Sequence, residues 1–60
     1  MYCYTNPFTN HDLYINLKYV VTLEGDANTN TLTLSTVFGE NIRLHFENEI
    51  DYSSNKAYII

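Results

Sequence analysis

From residue 13 to residue 46 the chain reads LYINLKYVVTLEGDANTNTLTLSTVFGENIRLHF, and apolar and polar positions alternate through most of it. Successive side chains of an extended strand point to opposite faces, so a period of two predicts strands with one buried and one solvated face. A first strand over 13–24 carries Leu13, Ile15, Leu17, Tyr19, Val21 and Leu23 on one face. Tyr14, Asn16, Lys18, Val20, Thr22 and Glu24 fall on the other. EGDANTN then reads as a turn, because Gly, Asp and Asn tolerate the backbone angles a reversal needs. A second strand over 30–38 presents Leu32, Leu34 and Phe38, and GEN at 39–41 interrupts it. A third over 42–47 presents Ile42, Leu44 and Phe46.

The flanks are less regular. NPF at 6–8 is a turn, since Pro7 fixes its own φ and holds Asn6 extended, and YCYT before it suits a short strand. ENEIDYSSN reads as a polar loop, and KAYII as a terminal fourth strand. No helical period follows the meander.

Parity tests the register, because a slip of one residue moves every side chain to the wrong face. A four-residue loop over 26–29 pairs Gly25 with Asn30 and sets Leu23 against Leu32, Val21 against Leu34 and Leu17 against Phe38. A three-residue loop Gly39-Glu40-Asn41 pairs Phe38 with Ile42 and Leu34 with Phe46, with Asn41 in the left-handed region. The expectation is an all-β fold, one domain over 1–60: a small antiparallel meander of three to five strands with one apolar face.

That face measures on the order of 500 Å² at ~4.8 Å between strands and ~3.3 Å per residue. The terminal segments MYCYTNPF and IDYSSNKAYII hold few apolar residues to cover it. The economical solution is a second copy, two sheets packed as a two-fold homodimeric sandwich. Leu13, Ile15, Leu17, Tyr19, Val21, Leu34, Phe38, Ile42, Leu44 and Phe46 form the expected interface. Closure into a small barrel and burial against a different partner are the alternatives. Chain length points the same way: a domain of ~60 residues is marginally stable without disulfides, metal or association. Cys3 is the only cysteine, which excludes an internal disulfide and suits a reducing compartment.

Composition narrows the partners. Eight Asn, seven Thr and six Tyr favour turns and strands over helix. The net charge is −4, and Lys18, Arg43 and Lys56 are the only basic residues, which argues against nucleic acid and against an anionic membrane surface. No apolar run approaches the ~20 residues of a spanning helix, and the N-terminus lacks a signal-peptide pattern. A cytoplasmic location, of a host or infected cell, is expected.

Little in the chain carries chemistry. Cys3, His11, Asp12 and His45 lack the spacing of a zinc site, and Cys3 lacks the base and oxyanion loop of a thiol nucleophile. No cofactor or metal is expected, nor an enzyme. Asp12, with Asn10, has a structural role available, satisfying backbone donors before the first strand. Glu47, Glu49 and Asp51, near Glu40, read as a solvated acidic rim that could dock on a basic surface. Tyr14, Tyr52 and Tyr58 suit an interface, where tyrosine is enriched. In size and composition the chain looks like the small acidic proteins that phages encode, many of which bind and disable a host enzyme. A non-enzymatic inhibitor of a defence or nucleic-acid-processing enzyme is the leading expectation. A module that assembles through its edge strands and a small-molecule-binding oligomer are the alternatives.

Overall fold

A computed structural model describes all 60 residues, Met1–Ile60. The fold is mostly β: a two-stranded antiparallel sheet of β1 (Tyr2–Thr5) and β2 (Asp12–Ile15), and a three-stranded one of β3 (Val20–Asp26), β4 (Thr31–Thr36) and β5 (Asn41–His45) in that order. A helix, α1 (Glu49–Ile59), ends the chain. The sheets do not close into a barrel. No helix is long and apolar enough to cross a membrane.

The predicted strand over 13–24 is two strands. Asn16 accepts a hydrogen bond from the Lys18 backbone N–H at 3.1 Å and caps a 3-10 turn, Leu17–Tyr19, between β2 and β3. An Asn side chain that offers the backbone a local partner competes with the ladder, and here it wins. A bulge follows: Val20 pairs with Thr36 but Thr22 with Ser35, leaving Val21 as the extra residue. Tyr19 and Val21 therefore leave the inner face, and both are exposed.

Both hairpins keep their faces and shift their register. Leu23 pairs with Leu34 and Gly25 with Leu32, so the four-residue loop lies at 27–30, one position later than expected. Leu34 pairs with Ile42 and Leu32 with Leu44. The second loop has three residues, as expected, but at Val37-Phe38-Gly39, with Gly39 at φ 84 taking the left-handed position in place of Asn41. Glycine pays no Cβ penalty there, which decides the placement. Phe38 thus sits on the turn instead of opposite Ile42. Asn10 (φ 60) and Asn30 (φ 53) serve the same purpose at the other two turns.

The largest correction is the C-terminal segment, which is neither loop nor strand. Asn48 caps α1: its Oδ1 accepts from the Asp51 N–H at 2.8 Å, and its Nδ2 donates to Asp51 Oδ2 at 3.2 Å. Glu49 and Asp51 lie in the first turn and Lys56 in the last, the polarity the helix dipole favours. Tyr52 is buried, with Asn55, Lys56 and Ile59 half-buried at i+3, i+4 and i+7.

The terminal segments thus cover the sheet. Leu32, Leu34 and Leu44 are fully buried beneath Tyr2, Tyr4 and Ile15 of the N-terminal hairpin and Tyr52 of α1, with Phe46 beside them. Tyrosines supply the apolar area that a count of aliphatic residues missed. Ile15, Leu34, Leu44 and Phe46 are core residues of one chain, and Leu17 and Ile42 pack against that core. A sandwich through these residues has no open face to close.

Candidate functional site

The N-terminal hairpin leaves the outer edge of β1 open, as it does that of β2. The Asn6 N–H donates to the His11 carbonyl at 2.9 Å, which makes Tyr4–Leu13 and Tyr2–Ile15 the bonded pairs of β1 and β2. The backbone groups of Cys3 and Thr5 then point away from β2. On that side two shallow depressions of about 140 and 380 Å³ share Cys3 and Asn55 and form one trough between β1 and α1.

The trough is held by tyrosine hydroxyls. Tyr2 Oη donates to Asn55 Oδ1 at 2.7 Å, and Asn55 Nδ2 donates to the Asp51 carbonyl at 2.8 Å. Tyr4 Oη donates to the His45 carbonyl at 2.6 Å and accepts the His45 N–H at 2.8 Å, closing part of the outer edge of β5. The Tyr4 ring meets Phe46 edge-on at 5.6 Å. Burial pushes the Tyr2 hydroxyl up to about 12, with Tyr4, Cys3 and Tyr58 adding like-charge repulsion.

Glu47 and Asp51 line one end of the trough, and Tyr58, its ring 5.7 Å from that of Tyr2, lines the other. Glu49 is exposed on the same first turn of α1. Three of the expected contact residues therefore share one groove. Tyr14 stands across from Cys3 on the outer face of the hairpin, and its hydroxyl is raised above the usual value by Cys3, then Asp12 and a hydrogen bond with Cys3. Glu40 is apart: it precedes β5 while Glu47 follows it, a separation of ~20 Å at ~3.3 Å per residue. Tyr52, expected at the contact surface, is only 4% exposed. Its ring lies over Gly25, where a Cβ would collide with the Tyr52 hydroxyl.

The outer face of the larger sheet shows a second arrangement. Register sets Glu24, Thr33 and Arg43 in one row and Asp26, Thr31 and His45 in the next. They border an open depression of about 560 Å³. Acid lies on one edge strand, hydroxyls in the middle and base on the other edge. Thr31 is no activated nucleophile, because its hydroxyl donates to the Thr29 carbonyl at 3.2 Å and accepts from Thr29 Oγ1 at 3.1 Å. These rows follow from alternation, each residue lying one position from an inner-face residue of its strand.

Cys3, His11, Asp12 and His45 do not converge, and no three of the His, Cys, Asp and Glu side chains form a metal-sized group. Asp12 has a local partner, accepting from Thr5 Oγ1 at 2.6 Å. Its role is thus a side-chain bond across the hairpin instead of the backbone bonds expected of it. Against protein families, curated proteins and solved structures, the chain has no match.

Proposed function

We propose that this chain is a non-enzymatic binding protein of the small phage or mobile-element kind, which blocks a larger host enzyme by surface contact in the cytoplasm. The observation that carries the reading is the β1–α1 trough. An open strand edge runs beside two carboxylates at one end and an exposed tyrosine, Tyr58, at the other. Open edges accept an added strand through backbone hydrogen bonds, and carboxylates select a basic partner and speed its approach. The chain's net charge of −4 favours the same class of surface, such as a nuclease or helicase groove.

Paired baits test it. Wild type and Glu47→Lys/Glu49→Lys are immobilised side by side and exposed to a bacterial extract, with Asp51 left intact because it belongs to the helix cap. The expected result is an enzyme retained by wild type, lost from the variant, released by salt, and inhibited stoichiometrically when both are purified. Equal retention by the two baits removes the trough from the site, and retention without inhibition removes the inhibitory role.

A further inference from the structure

One surface is explained neither by the core nor by the trough. The bulge turns Val21 outward, and the 3-10 turn carries Tyr19 to the β4–β5 turn. There the Tyr19 carbonyl accepts the Val37 N–H at 2.9 Å, and the Tyr19 ring lies 5.3 Å from that of Phe38. Tyr19, Val21, Val37 and Phe38 are 40–69% exposed. Two apolar residues at the tip of a three-residue turn do nothing for the turn itself, whose only special requirement falls on Gly39. Both turn residues are held against Tyr19, and Val21 is exposed two positions further along the chain.

We propose that a second copy of this chain docks on this patch, about a two-fold axis that runs the two β3 edges antiparallel. β3 is an outer strand: Thr22, Glu24 and Asp26 bond to β4, so the Leu23 backbone faces outward beside the patch. Charge supports the orientation. Lys18 stands where β3 begins and Glu24 and Asp26 where it ends, so an antiparallel approach brings each lysine toward the other copy's carboxylates. Like surfaces meet, as an isologous contact requires. Area sets the strength. With ~150–250 Å² for a whole aromatic side chain and somewhat less for valine, these exposures amount to a patch on the order of 400–500 Å². Two copies bury at most about 800–1,000 Å², at or below the lower limit for a specific interface, so the dimer is weak and comes apart on dilution.

Light scattering across a dilution series from about 1 to 500 µM tests this. Wild type is expected to pass from the 7.0 kDa chain to twice that mass. Val21→Glu/Phe38→Glu, altering two exposed side chains, is expected to shift the curve at least about a hundredfold with its far-UV spectrum unchanged. Ile50→Glu, exposed on α1, is the control that still dimerises. A wild type that stays at one chain throughout overturns the proposal. A dimer that survives both glutamates overturns it equally.

Discussion

β4 and α1 are held in place by different means. β4 is the central strand of its sheet, paired on both sides, and Leu32 and Leu34 on its inner face are wholly buried. α1 is eleven residues long and buries one side chain, Tyr52. The strand is specified by an apolar period, which any register preserving parity satisfies. The helix is specified by separate single contacts. These are the Asn48–Asp51 cap, the contact of Tyr52 with Gly25, the Tyr2–Asn55 hydrogen bond, and Lys56 over the Tyr52 ring at 5.8 Å. An element built this way carries no strong apolar period, yet it covers the sheet.

Truncation should break the two regions differently. Leu34→Ala removes a fully buried side chain from the centre of the core, at a cost of about 2–5 kcal/mol. Against the ~5 kcal/mol total of a small domain, that leaves about 0–3 kcal/mol, which a much lower urea midpoint by far-UV circular dichroism should show. On α1 only Tyr52→Ala should match it, at about 3–5 kcal/mol. Ile50→Ala, at a position 77% exposed, should stay within about 0.5 kcal/mol. If several α1 positions each cost as much as Tyr52, the helix is held by an apolar face after all.

The next test is sharper because it isolates one contact. Gly25→Ala places a methyl where the Tyr52 hydroxyl lies, and displacing that side chain should cost about 1–3 kcal/mol. Tyr52→Phe removes the hydroxyl, so the double variant should lose less than the sum of the singles in a urea-unfolding cycle. Strict additivity would mean that the ring does not rest on Gly25. Smaller again is the cap: Asn48→Ala should cost about 1 kcal/mol, while Asn48→Ser, which keeps an acceptor oxygen, should cost much less.

What the sequence made legible follows the same division. Alternation found the three-stranded meander, its inner residues Leu32, Leu34, Ile42 and Leu44, and most of its polar face, because all three strands have sequence neighbours as partners. It failed at Asn16, where a side-chain acceptor outbid the ladder, and at Val21, where a bulge broke the count. Gly39 marked the second loop more strongly than Asn41 did. For α1 the signals were present but faint: Asn48 three residues before Asp51, acids in the first turn, and the 52/55/56/59 spacing. Of the candidate site, Glu47, Asp51 and Tyr58 were legible as surface residues. Their convergence on the edge of β1 was not, since it depends on a contact between the two ends of the chain.

That end-to-end contact gives the smallest effect, and pH reads it. The Tyr2 hydroxyl, donating to Asn55, is buried enough to hold its proton up to about 12 against an ordinary 10. In the unfolded chain the proton leaves near 10. Between these values the native state binds more protons than the unfolded one, so stability is full below pH 10 and falls as the pH rises toward 12. Tyr14 adds little to this: its hydroxyl is also raised, but by exposed neighbours that solvent and salt screen. Urea midpoints measured from pH 8 to pH 12 should therefore decline above 10 for wild type. Tyr2→Phe should start lower, having lost the bond to Asn55, and decline less. Absorbance at 295 nm should lose a late-titrating component on going from wild type to the variant. Parallel declines in the two proteins would mean that the N-terminal hairpin does not seal Tyr2 against α1, and the hairpin's cover of the sheet would then rest on Tyr4 and Ile15.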